Sequence, residues 1–463
     1  METKKEKFQR NRKKGIFLTH LFWGIFCLFA VCAGVLTACG TLTGEGERSG
    51  LGEYIPGYGM GKKEKEEKEQ ADIVRIPVIF TVDPTTGKKN NQELAEAFNK
   101  AYEGKYILDV EWVLETEEEY RQNLKRMNVT DKLPAVIYDV CTVPAFYQMM
   151  VEEGRLENLN PYLEKDPEWR EAIEPAVLKA CTYAEGEIYL GPISTAAFTC
   201  SGMYWNAELF EQAQIEKFPE TWEEFWECCE RLKDCKITPL SLHTEGTGWA
   251  PMLIATAAVA QTSQGEAFLR LTLPDSYNNE SGLRLGSILQ KLFEYTTEDA
   301  LHSDFDVAYN NFFSGRCAML PNGYWMMEQI PQEWKGKIHF SAFPENTLVA
   351  SPETFGWAVI ADYDEEVKEA AVEFLKFRTF YNQQEKEKLF SAEASEEADI
   401  LSDYRKAYSE AVKIIPNYQV KWNSILQEET LGEILPLLAE KKKTPRDFVQ
   451  MADESIKEYQ AEK

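Results

Sequence analysis

IVRIPVIFTV, residues 73–82, is where this 463-residue chain first demands regular structure. Ile73, Val74, Ile76, Val78, Ile79, Phe80 and Val82 make a β-branched and aromatic run, the mark of a strand buried on both faces. Next, NNQELAEAFNKAY (90–102) sets Leu94, Ala97, Phe98 and Ala101 at helical spacing, and Gly104 stops the helix. YILDVEWVL (106–114) returns to strand. Residues 116–128 read as a helix opened by the capping box Thr116-x-x-Glu119, and LPAVIYDV (133–140) is a third strand. Strand, helix, strand, helix, strand predicts right-handed crossovers and a parallel sheet, hence an α/β fold. Ligands of such sheets bind beyond the carboxyl ends of the strands, where Asp83 and Asp139 fall. Each is a candidate polar contact; the alternative for each is a helix cap or a turn.

Upstream, Lys4, Lys5, Lys7, Arg10, Arg12, Lys13 and Lys14 precede an apolar run from Ile16 to Ala38. Residues 1–38 therefore read as a targeting segment. Its end, Leu36-Thr37-Ala38-Cys39-Gly40, resembles the lipobox of bacterial lipoproteins, in which Cys39 is lipidated and becomes the new N-terminus. A plain transmembrane anchor is the alternative for so long a run. Both expectations tether the body of the chain outside the cytoplasm, at the cell membrane. Residues 39–72, glycine-rich at first and then KKEKEEKE (62–69), read as a flexible tether.

The formal charge of −27 argues against nucleic acid as a partner, because phosphate neutralisation needs an excess of Lys and Arg. An apolar content of 44% is enough for a sizeable core. Cys27 and Cys32 leave with the targeting segment. Cys141, Cys181, Cys200, Cys228, Cys229, Cys235 and Cys317 remain, an odd set in a chain large enough to need no staples, so free thiols are expected. The four histidines are scattered and no CxxC occurs, so neither a structural zinc site nor any cofactor is expected. GxSxG and HExxH are absent, which disfavours a serine hydrolase or zinc protease.

Further along, residues 198–205 read as a strand, with Asn206 capping a short helix. Thr221 and Glu224 form a capping box, Trp249 to Gln261 is an apolar helix, and 285–295 and 304–313 are amphipathic. GKIHFSAFP (336–344) and FGWAVIAD (355–362) return to strand, Glu365 to Tyr381 to helix, and the remainder is mainly helical. Four stretches carry a resemblance that runs over about residues 73–455. They are EGEIYLGP with SGMYWNAELF, FPETWEEFWECCERLK, FFSGRCAMLPNGYW, and FGWAVIADYDEEVKEAAVEFLKF. In this order, behind the lipobox, they resemble the extracellular solute-binding proteins of ATP-driven importers, specifically the large sugar-binding family that includes maltose-binding protein.

The resemblance implies a bilobal, periplasmic-binding-protein-like α/β fold: two discontinuous lobes joined by crossing hinge strands, with ligand held between them. The expected boundaries are 73–184 plus 336–385 for the first lobe and 185–335 plus 386–463 for the second. It implies a monomer that binds a mono- or oligosaccharide and docks on the permease subunits of an ABC importer, not an enzyme. A sugar offers hydroxyls and flat C–H faces, so its site needs polar side chains and aromatic plates. The chain has 11 Trp and 21 Tyr to supply plates. The resemblance carries the stacking role to Trp325 and, by looser spacing, to Trp422. Trp357 and Trp249 are further candidates, and Asp139 matches a polar contact. Core packing is the alternative for each Trp. The rival functions are a cell-surface glycoside hydrolase, which needs two carboxylates about 5–10 Å apart, and a binding protein that senses ligand without transport.

Overall fold

The computed structural model describes residues 73–461 apart from 83, 85–86, 116, 141–143, 184–185, 245–247, 271–273, 352–355, 392–398 and 418–430. Cys39, Asp83, Thr116 and Trp422 thus lie outside the described residues. The strands in chain order are β1 (Val74–Val82), β2 (Tyr106–Leu114), β3 (Val136–Ile137), β4 (Cys200–Asn206), β5 (Thr238–Leu240), β6 (Cys317–Gly323), β7 (Ile338–Ser341), β8 (Thr347–Ala350), β9 (Ala358–Val359) and β10 (Lys413–Pro416).

The first sheet has the order β2-β1-β3-β9. β1 is parallel to β2 and β3, as the alternation of strands and helices predicts, and β9 closes the edge antiparallel to β3. Ile76, Val78 and Phe80 alternate along β1 and are almost fully buried. Helices Gln92–Ala101 and Glu365–Ser391 lie against this sheet, with Phe98 and Phe374 edge to face at 5.1 Å between centroids. The second sheet has the order β10-β8-β4-β6-β5, and β7 also pairs with β4. Here β4 is antiparallel to β6, β7 and β8, whereas β5 and β6 are parallel.

The boundary expected at 336–385 therefore needs correction. Strands 338–341 and 347–350 pair with β4 in the second sheet, and only the chain from Trp357 onward returns to the first. Both are the next strands after β6, and hydrogen bonding to the nearby β4 satisfies their backbones without another crossing.

Helix Trp249–Val259 shows why its sequence has no polar face. Leu253, Ile254, Ala257 and Ala258 pack with β5, β6 and helix Trp222–Asp234. Met252, Ala255 and Val259 pack instead with helices Glu280–Leu292 and Pro445–Ala461. A helix buried between two clusters carries apolar residues all round. The capping box at Thr221 and Glu224 forms as expected, and Asn206 accepts from two backbone amides of the next helix. Cys181, Cys200, Cys228, Cys229, Cys235 and Cys317 are free thiols.

Between the sheets the chain crosses at residues 191–199. The long helix grips the first part of this crossing residue by residue. Gly191 passes so close that an added Cβ would stand 2.7 Å from Leu375. Arg378 donates to the Gly191 carbonyl (3.2 Å) and Thr379 to the Pro192 carbonyl (2.6 Å). Asn382 Oδ1 accepts from the Ser194 hydroxyl (2.8 Å) and the Thr195 amide (3.0 Å). Glu174 completes the seat, accepting from Thr195 Oγ1 (2.9 Å), Lys386 Nζ (2.7 Å) and the Tyr408 hydroxyl (2.7 Å). Farther on, the Thr199 carbonyl accepts from the Ser351 amide and Cys200 pairs with Ala350, so the chain has joined the second sheet.

Candidate ligand-binding cleft

A cleft of about 540 Å³ opens at the carboxyl ends of β1 and β3. Asn90, Tyr138, Asp139, Trp357 and Arg378 line one side; Ile193 and Phe198 of the crossing line another. Because β9 runs antiparallel, its start also lies at this end, which is how Trp357 joins Asp139. Tyr120, Tyr138 and Trp357 form a column of rings, with centroids 4.1 Å and then 5.3 Å apart. The Arg378 guanidinium lies over the Trp357 ring at 4.6 Å. Phe80 and Phe374 pack against the same indole, each at 5.8 Å. Trp357 is left 4% exposed, a member of the cleft wall whose ring already has its partners. Asp139 has φ 57°, a left-handed turn that Asp tolerates better than most residues. That turn ends the third strand and sets the buried carboxylate against Arg121, at 3.2 Å.

The second sheet presents a different surface. β5 and β6 lie side by side and parallel, so the chain leaving each emerges at the same edge. From β6 come Gly323, Tyr324 and Trp325; from β5 come Ser241, Leu242 and His243, with Trp249 starting the next helix. Trp325 is 38% exposed, one of the few large apolar side chains so open. Its indole folds back over Gly323, where a Cβ would stand 2.2 Å from the ring. With φ at −97°, any residue could adopt the Gly323 backbone, so what requires glycine there is the close approach of the ring. The Tyr204 hydroxyl donates to the Gly323 carbonyl (2.8 Å), and the Gly323 amide donates to Asn322 Oδ1 (2.7 Å), fixing this bare backbone as a bed for the indole.

Trp249, half-buried, meets Trp325 at 6.0 Å and 45°, so the two indoles form a V. Behind Trp249 stands His243, 6.1 Å from it and 5.8 Å from Phe305. The imidazole is 7% exposed, and its Nε2 has no hydrogen-bond partner among the described residues. Burial pushes its pKa down to about 4, against a weaker upward pull from Asp304.

The candidates named from sequence thus gather in two pairs: Asp139 with Trp357, and Trp249 with Trp325. The second pair is not among the residues lining the 540 Å³ cleft. Phe198 lines the cleft and meets the ring of Tyr324, the residue before Trp325, at 5.5 Å. His243, Arg378 and Phe198 escaped the sequence reading. For His243 the available signal was position, a polar residue just beyond the carboxyl end of a strand. A larger groove, about 820 Å³, lies at the β4–β7 edge of the second sheet. Its indole, Trp205, already packs on His339 at 4.8 Å and Phe210 at 4.7 Å, so it is a poorer place for a flat ligand. Among the described residues, no group of acidic, His and Cys side chains is arranged to hold a metal ion, and no helix is long and apolar enough to cross a membrane.

Residues 93–391 match the model of a family described as bacterial extracellular solute-binding protein. The chain is 29% identical over 171 residues to the multiple sugar-binding protein of Streptococcus mutans serotype c, a match spanning 34% of this chain. It covers 39% of that curated relative's length. Among solved structures, a chitin oligosaccharide binding protein is similar at a TM-score of 0.61 and 20% identity, over 84% of this chain and 99% of that one. A Streptococcus pneumoniae solute-binding protein in complex with the blood group A-trisaccharide gives 0.60 and 16%, over 82% of this chain and 100% of that one. These likenesses show the fold, two α/β lobes joined by crossing strands. With nearly two thirds of its length inside the family match, the chain belongs to the bacterial extracellular solute-binding protein family.

Proposed function

We propose that this protein captures a carbohydrate between its lobes and delivers it to an ABC importer, held at the outer face of the membrane by a lipid on Cys39. The observation that carries the reading is Trp325, an open indole bedded on bare backbone at the ligand edge of a sheet. A pyranose ring has an apolar C–H face that such a plate fits, and Trp249 walls one side. On the other lobe Asp139 and Arg378 would offer charged edges for hydroxyls, while Trp357 holds the wall they stand on. The names of the similar proteins, which refer to sugars, point the same way. Asp83, just after β1, and Trp422, just after β10, are kept as contacts on sequence grounds. The lobe limits that accompany this reading are about 73–190 with 357–391, and 200–350 with 400–461. The protein is proposed to act as a monomer.

A thermal-shift screen of the full chain against mono- and oligosaccharides tests it, since a ligand that binds only the folded state raises Tm. Stabilisation by one class of sugar, with no sugar cleaved, is expected. A response confined to peptides or polyamines would refute the carbohydrate reading, and release of cleaved sugar would make the protein a hydrolase.

A further inference from the structure

We infer that His243, packed behind Trp249 beyond the end of β5, is a hydrogen-bonding contact for a hydroxyl of the ligand. The inference rests on the reading of Trp325 as a sugar plate. Three independent features of the molecule support it. The imidazole is more than nine-tenths buried, and its Nε2 has no partner among the described residues. Nearly all buried polar atoms in native proteins are paired, and one left over calls for a reason such as a missing ligand or water. His243 also lies three residues beyond the carboxyl end of β5, beside the parallel strand that delivers Trp325, and such strand ends are where α/β sheets hold ligands. Its ring neighbours, Trp249 and Phe305, offer apolar surface, and the adjacent acid Asp304 uses Oδ1 to accept from the Val307 amide as a helix cap.

The chemistry of the imidazole selects a class of ligand. Burial keeps it neutral at physiological pH. A neutral imidazole carries one N–H donor and one bare acceptor nitrogen, so it can bond a hydroxyl in either sense. An ammonium group can use only the acceptor and a carboxylate only the donor, and a carboxylate would bring an unpaired negative charge against the faces of Trp249 and Phe305. His243 therefore favours uncharged, hydroxylated ligands.

Titration calorimetry of the full chain with galactose, maltose, raffinose and chitotriose, beside His243→Leu and His243→Gln, tests the inference. For whichever sugar binds the parent protein, His243→Leu is expected to raise Kd roughly 10–100-fold with Tm unchanged or higher. His243→Gln, which keeps a donor and an acceptor, should recover part of that loss. Monodeoxy analogues supply a readout that mere packing would not move: one analogue should bind the parent more weakly but lose nothing further on His243→Leu. If His243→Leu does not fold, the same comparison on His243→Gln decides. Parent-like affinity in the folded variant, or additive losses with every analogue, would overturn the inference and leave the carbohydrate reading standing. No binding of any sugar by the parent would remove both.

Discussion

Trp357 and Trp325 stand at the candidate ligand edges of the two sheets, each close behind a glycine, yet one is 4% exposed and the other 38%. The difference lies in what the rest of the chain brings to each ring. Around Trp357 it brings Tyr138, Phe80, Phe374 and the Arg378 guanidinium, four contacts from three separate segments. Beneath Trp325 it brings a residue without a side chain, so the ring lies down on backbone. An indole surrounded by side chains stiffens a fold. One laid over glycine keeps a face for something else.

The contrast can be broken most sharply at Trp357. Trp357→Ala should cost about 3–5 kcal/mol of stability, as for other large-to-small core changes, seen as a lower urea midpoint. A loss below about 1 kcal/mol would mean that the column of rings supports nothing. Next is the titration of His243, which distinguishes the two ends by pH. Its folded pKa, about 4, lies below the ordinary histidine value of 6.5, so the unfolded chain takes up the proton first. The contribution is therefore fully present above pH 6.5 and fades as pH falls toward 4, by about 2–3 kcal/mol in all. Urea midpoints at pH 7 and pH 4 should differ less in His243→Leu than in the parent; equal differences would contradict this.

Trp325→Ala should leave stability within about 1 kcal/mol but remove roughly 1.5–3 kcal/mol of sugar binding, the value of burying a large apolar side chain. A folding defect with unchanged Kd would make it a core residue after all. Gly323→Ala should act most gently, lifting the indole off its bed and costing binding about 1 kcal/mol. Tryptophan emission should shift in that variant, and identical spectra and Kd would show that the bed does not position the plate.

Some of this was legible in the chain. Periodicity shows β1, β2 and the helix between them, because helix and strand spacing is local. The sheet joined by 338–350 was not legible, since short apolar strands look alike and pairing is decided by which neighbour is within reach. Trp325 stood out through the Gly-x-Trp stretch. Trp357 looked equivalent because Gly356-Trp357 says nothing of Tyr138 or Arg378, which arrive from 219 residues earlier and 21 residues later in the chain. His243 left only its position beyond a strand end as a signal; an isolated histidine acquires meaning once β5 and β6 are seen side by side.

The gripping of residues 191–195 by the long helix has a mechanical consequence. Bonds from Arg378, Thr379 and Asn382 make that half of the crossing travel with the helix, and pairing from Thr199 onward makes the rest travel with the second sheet. Between these anchorages lies a short axle, Ala196, Ala197 and Phe198, at most about 11 Å long and itself held as a turn by the Thr199 amide on the Ala196 carbonyl. Phe198 is part of that axle, and it is also the ring that touches both the cleft and Tyr324. Turning the axle would re-aim a wall of the cleft, so on this strand the lever and the latch would be the same side chain.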